Sequence, residues 1–197
     1  MDPVQRVKDL FNESIQLKLD ISARIAPLVA SAAQSITACL LRENKVLVCG
    51  NGNCAGDAQR FTSQMLNRFE MERPGLPAVS LVADAAVLTS IADDLQYAEI
   101  FSRQIMALGN PGDILMVIST SGDSHNIIHA IDAAHDRGMA VIALTGREGG
   151  QSADLLHEAD IEIRVPNWST ARIQEVHVMI IHAINELVDQ YLLGSGE

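Results

Sequence analysis

The stretch Asp113-Ile114-Leu115-Met116-Val117-Ile118-Ser119-Thr120-Ser121-Gly122-Asp123-Ser124 decides the fold. Its first half is an unbroken apolar run of strand length, which suits a strand buried on both faces, as in a parallel sheet covered by helices. Its second half gathers the hydroxyls of Ser119, Thr120, Ser121 and Ser124 around one glycine, directly before a helical pattern. A helix N-cap needs one hydroxyl, so four of them, together with free backbone N–H groups, point to a phosphate site that needs no lysine.

Outward from this stretch the same alternation repeats. Strand-sized apolar runs at Lys45–Cys49, Pro77–Val82, Met139–Leu144 and Ile161–Val165 alternate with helical patterns at Ala55–Phe69, Ala85–Ile91, Ala98–Leu108, Ser124–Arg137 and Gln151–Leu156. The spacing therefore predicts an α/β fold with a five-stranded parallel sheet flanked by helices on both faces, an αβα sandwich. Two N-terminal helices are expected, at Val4–Leu19 and Ile25–Leu41, and one long C-terminal helix from Thr170 to about Leu193. One domain is expected over 1–197, with 1–43 serving packing and oligomerisation and 44–197 forming the sheet core and last helix. The terminal helices carry more apolar surface than one small sheet covers, which implies subunit packing.

Composition narrows the function. With 197 residues, 48% hydrophobic and 20% charged, the chain is neither collagen-like, disordered nor a repeat array. A formal net charge of −11 opposes attraction to phosphate backbones and anionic lipid, so neither nucleic acid nor membrane is expected as a direct partner. Cys39, Cys49 and Cys54 form no CxxC pair and read as buried free thiols of a reducing compartment. The N-terminus lacks a basic leader followed by an apolar run, and no apolar run reaches the roughly 18 residues of a membrane span. A cytoplasmic location is expected.

In an open parallel sheet, ligands bind beyond the carboxyl ends of the strands. Besides the hydroxyl loop, one other strand end is notably polar: Gly50-Asn51-Gly52-Asn53-Cys54-Ala55-Gly56-Asp57 comes directly after Val46–Cys49 and feeds a helix. Of the histidines, His125, His129, His135 and His157 sit on helical segments with no carboxylate or cysteine at metal spacing, and read as helix-face residues. His177 and His182 stand five apart and face different ways.

Four motifs in order, CGNG (Cys49–Gly52), STSG (Ser119–Gly122), ALTGREGG (Ala143–Gly150) and ARIQEVH (Ala171–His177), resemble the sugar isomerase (SIS) domain. The run from Asn51 through NRFEMERPGLPAVSL (Asn67–Leu81) to the last helix is similar to the phosphoheptose isomerase group, which includes the DnaA initiator-associating proteins called DiaA. The resemblance covers nearly the whole chain. It implies a homotetramer, a sugar phosphate held by Ser119, Thr120, Ser121 and Ser124, and further substrate contacts from Asn51, Gly52, Asn53, Asp93, Asp94 and Gln174.

The family's isomerases interconvert ketose and aldose phosphates with a glutamate on the first catalytic helix and a histidine on the last. Many hold zinc with a histidine and that glutamate from the first helix and a glutamine and histidine from the last. Here the first-helix positions are Arg60 and Gln64, while Gln174 and His182 are kept. A guanidinium cannot ligate zinc, and an amide is no base near neutral pH. The expectation is therefore no cofactor and no metal, with His182 and Gln64 left as a degenerate catalytic pair. The leading reading is a non-catalytic, DiaA-like sugar-phosphate-binding protein that binds the replication initiator DnaA. The alternative is a phosphoheptose isomerase acting on sedoheptulose 7-phosphate for lipopolysaccharide heptose, its base supplied by a neighbouring subunit's carboxylate such as Glu70 or Glu72.

Overall fold

The structure, a computed structural model, describes residues 2–194. Two strands form its axis, β1 (Val46–Gly50) and β3 (Ile114–Ile118), both buried along their whole length as apolar runs between two helical layers must be. β2 (Ala78–Ser80) flanks β1, while β4 (Ala140–Gly146) and then β5 (Ile161–Val165) extend the sheet beyond β3. The order is β2-β1-β3-β4-β5, and every pairing is parallel.

Alternate strand residues divide the core in two. One cluster joins Val46, Val48, Met116, Ile118 and Leu144 to α1 (Pro3–Leu41), α2 (Asn53–Leu66) and α7 (Thr170–Leu193). The other joins Leu47, Cys49, Leu115, Val117 and Val141 to α4 (Ser102–Leu108) and α5 (His125–Asp136). α3 (Ala85–Asp94) and the short α6 (Gly150–Asp154) complete the connections. The expected α/β sandwich is thus the observed one, with two differences of detail.

The first concerns the N-terminus, where α1 is one helix of 39 residues instead of two. Pro27 interrupts the backbone bonding but projects to solvent, and the buried stripe Ile21, Ile25, Val29, Ala32, Ile36 passes through it unbroken. Packing along α7 and β5 outweighs the roughly 3 kcal/mol that a helix-interior proline costs. Among the described residues, α1 is also the one helix long and apolar enough to cross a membrane by length and composition. In this fold its buried stripe belongs to the core. The second difference is at Ala98–Leu108, where a 3-10 turn (Tyr97–Glu99) precedes α4, because burial of Ile100 and Phe101 bends the chain between them.

The segment after α2 is tied down by Arg73. Its Nε donates to Asp189 Oδ1 of α7 at 2.5 Å, with side chains only 1% and 2% exposed. Its remaining nitrogens donate to the carbonyls of Gln64 (2.8 Å), Met65 (2.8 Å) and Pro74 (3.2 Å). Two of those carbonyls lie in the last turn of α2, so a buried cation meets both unpaired acceptors and the negative end of that helix. Asp189→Ala leaves the guanidinium buried without its counter-charge and is expected to cost about 3–5 kcal/mol in urea unfolding. A loss below about 1 kcal/mol would show the pair to be worth no more than an exposed one.

Candidate functional site

Chain connections leave β1 toward β2 on one side and β3 toward β4 on the other, so the sheet's topological switch point lies between β1 and β3. In the parallel register Gly50 pairs with Ile118, and the loops beyond them, 51–53 and 119–124, leave the sheet side by side. Their side chains join: Asn51 and Asn126 exchange amide hydrogen bonds of 2.8 and 2.9 Å, and the Tyr97 hydroxyl donates to Asn51 Oδ1 at 3.1 Å. Asn51, expected to touch sugar, thus has its side chain committed to holding the two loops together.

The hydroxyl loop is shaped by its glycine. Gly122 has φ +75°, and a Cβ there would lie 1.8 Å from the Gly149 carbonyl oxygen. Only glycine allows the loop after β3 to press this closely on the loop after β4, and Ser152 of α6 donates through both N–H and Oγ to the Gly122 carbonyl. Ser119 Oγ accepts from Gly122 N at 3.0 Å, and Ser121 Oγ accepts from Asp123 N at 3.3 Å. Ser124, at the N-cap of α5, makes no side-chain capping bond. Two hydroxyls therefore shape the loop, and that of Ser124 is uncommitted to the helix it precedes.

Beside this loop, α2 and α7 form the walls of a cleft of about 560 Å³, lined by Gly52, Asn53, Gly56, Asp57 and Arg60 on one side and Ala171, Gln174, Glu175 and Val178 on the other. Asn53 Nδ2 donates to Gln174 Oε1 at 3.4 Å across its mouth. The Cys54 thiol lies within reach of the Thr120 backbone and the Gln174 side chain, so it connects the cleft to the hydroxyl loop; burial raises its pKa and keeps it a thiol.

Asp57 is the chemically distinctive group of the cleft. Its side chain is 8% exposed, 3.7 Å from the half-exposed Arg60 guanidinium, and burial raises its carboxyl pKa above the ordinary value against the opposing pull of Arg60. A carboxylate made more basic by desolvation, with a permanent cation beside it, can exchange a proton with a ligand and stabilise negative charge that develops there. Sequence reasoning alone misses Asp57. A signal is present in the spacing Asn53, Asp57, Arg60, Gln64, which puts four polar side chains on one face of α2.

The other expected residues are placed apart from this cleft. Gln64 Oε1 accepts from Asn185 Nδ2 at 3.1 Å, further along the seam between α2 and α7. His182 is half-buried against Phe69, ring centroids 5.5 Å apart, and is not among the residues lining the cleft. Asp93 and Asp94 end α3, exposed, just before the turn that carries Tyr97. His177 is fully buried; its Nε2 pairs with the Thr145 carbonyl at 2.9 Å, and burial pushes its pKa down to about 4. It stays neutral and structural. The set Arg60, Gln64, Gln174, His182 does not fit a zinc ion: Arg60 offers no ligand atom, and beside the single imidazole of His182 stand two neutral amides where zinc takes thiolate, imidazole or carboxylate.

The histidine expectation needs one correction. Carboxylates do face two of them, brought by other elements: Glu99 lies 2.8 Å from His129, and Asp160 lies 2.8 Å from His135.

Comparison with known proteins places this site in context. The family model for the SIS domain matches residues 10–146. A phosphoheptose isomerase of Chromohalobacter salexigens is 56% identical over 197 residues, covering 100% of both chains. The solved phosphoheptose isomerase of Francisella tularensis superposes with a TM-score of 0.93 at 46% identity, covering 96% of this chain and 100% of its own. That of Neisseria gonorrhoeae gives 0.89 at 44%, covering 94% and 98%. These full-length matches overturn the leading expectation of a non-catalytic, DnaA-binding protein and favour its isomerase alternative. By sequence and by fold, the chain belongs to the SIS domain family, in its phosphoheptose isomerase group.

Proposed function

We propose that the protein is a phosphoheptose isomerase, interconverting sedoheptulose 7-phosphate and an aldoheptose 7-phosphate, with Asp57 as the proton carrier. The observation that carries this reading is the Asp57–Arg60 pair in the cleft beside the hydroxyl loop. The substrate phosphate is bound by the loop Ser119–Ser124 and the N–H groups opening α5. The sugar chain then runs toward Asn53, Gln174 and Asp57. Asp57 takes the proton from C1 of the ketose, and the electron pair moves into the C1–C2 enediolate. The same proton returns to C2 while the hydroxyl proton of O1 passes to O2, which gives the aldose. Arg60, a permanent cation 3.7 Å from Asp57, stabilises the enediolate oxygen. The base in this reading comes from the chain's own cleft; Glu70 and Glu72 are exposed in the single chain, and Glu72 is paired with Arg68.

A homo-oligomer, and within it the tetramer of the family resemblance, is part of the same proposal. Val4, Val7, Phe11, Ile15 and Leu19 form an exposed apolar stripe on α1, 52–67% exposed, at helical spacing. A cytoplasmic site of action suits a phosphorylated substrate and three buried free thiols.

Turnover of sedoheptulose 7-phosphate by the purified protein, without added metal, is the expected result; binding without turnover would overturn the proposal. Asp57→Asn is expected to lower kcat by at least the roughly 10²-fold of a lost general base, while the thermal midpoint holds or rises because a desolvated charge is removed. Since burial raises the Asp57 pKa, kcat/KM should fall as pH drops through a limb lying above the usual aspartate range, and that limb should vanish in the variant. In calorimetric titration with the sugar phosphate, Gly122→Ala is expected to weaken affinity at least about fivefold, the minimum for about 1–3 kcal/mol of backbone strain at the phosphate loop.

A further inference from the structure

At the opposite end of the sheet three ligand-type side chains converge that take no part in the cleft. His135 lies in the last turn of α5, and His157 and Asp160 lie in the connection between α6 and β5. Asp160 directly precedes β5 and its Oδ1 accepts from Val141 N, the second residue of β4, so the cluster sits at the amino ends of these strands. The cleft lies beyond the carboxyl ends.

We propose that His135, His157 and Asp160 bind one divalent transition-metal ion of the zinc type. One ligand atom from each lies within 4.8 Å of the other two. His135 Nε2 is hydrogen-bonded to Asp160 Oδ2 at 2.8 Å, and this pair has to open by only about 0.5 Å to reach the about 3.3 Å between two ligands held tetrahedrally around an ion with bonds of about 2.05 Å. The two imidazole rings stack with centroids 3.8 Å apart and planes 15° from parallel; such planes do not meet at one in-plane ion, so the exposed His157 ring turns out of the stack to share the ion with His135. The carboxylate is oriented independently of any ion, because Oδ1 holds the Val141 N–H at 2.7 Å and Oδ2 the His157 backbone N–H at 2.8 Å. Such outer contacts fix a metal ligand before the metal arrives.

Two imidazoles and one carboxylate form a borderline donor set that zinc, copper and nickel prefer over calcium or magnesium. A cation here also meets the negative end of the α5 dipole. His157 is exposed, so the ion has a direct route in and water completes its shell. Bound metal would fasten the end of α5 to the approach to β5, a stabilising role separate from isomerisation. The inference does not rest on the isomerase reading.

Titration of the purified full chain with Zn²⁺ tests it. The wild-type protein should bind one equivalent at this site and gain thermal midpoint. His157→Ala should lose that equivalent and that gain, with the circular dichroism spectrum and isomerase rate of the wild type. The Gln174→Ala/His182→Ala double variant should keep the equivalent, which separates this site from any ion held between α2 and α7. With Cu²⁺ as the probe, the electron paramagnetic resonance spectrum should show two coupled imidazole nitrogens, a signal absent from His157→Ala. Identical zinc stoichiometry in wild type and His157→Ala, or no binding by either, would overturn the proposal and leave the cluster a hydrogen-bonded clasp.

Discussion

The pairing of Gly50 with Ile118 sets the geometry of the whole ligand-binding end of the sheet. Because β1 and β3 are parallel and in this register, their last residues stand level, and the two loops that leave them emerge within side-chain reach. The reciprocal Asn51–Asn126 amide pair then becomes possible, although its members lie 75 residues apart. A slip by one residue would turn each strand's apolar side chains to the wrong layer and separate the loops. The chemistry of the protein thus depends on a sheet whose interior is wholly apolar.

Charge is handled differently on the two flanks of α2. At its C-terminal end Arg73 and Asp189 are both buried, and four acceptors surround the guanidinium. One turn after its first residues, Asp57 is buried while Arg60 is half-exposed and 3.7 Å away, a looser pairing that leaves the carboxyl under strain from desolvation. The first arrangement suits a fastening. The second suits a site, because a group held away from its preferred protonation equilibrium exchanges protons more readily near neutral pH. Arg60 places a permanent positive charge on this helix, and Asp57, one turn earlier, a buried carboxyl with a raised pKa; these are the groups to which the proposed isomerisation assigns the charge and the base.

The long terminal helices give the sheet its second function as a scaffold. α1 and α7 pack together and on β5, and α1 buries one stripe in the core while presenting another, Val4 to Leu19, outward. That outward stripe is the surface on which the proposed homo-oligomer would pack.

The strands, their arrangement between two helical layers and the position of the hydroxyl loop were legible in the sequence, because continuous apolar runs, glycines and hydroxyl clusters are local properties. What chemistry the polar face of α2 can offer depends on tertiary packing. Whether Asp57 is solvated or buried, whether Gln64 is free or held by Asn185, and whether His135 meets a carboxylate all depend on groups brought from distant parts of the chain or on the packing of other helices. Likewise the continuity of α1 through Pro27 comes from the face it buries against α7 and β5, a long-range contact that outweighs the local preference of proline. Local pattern sets where elements form; desolvation and long-range pairing set what their side chains can do.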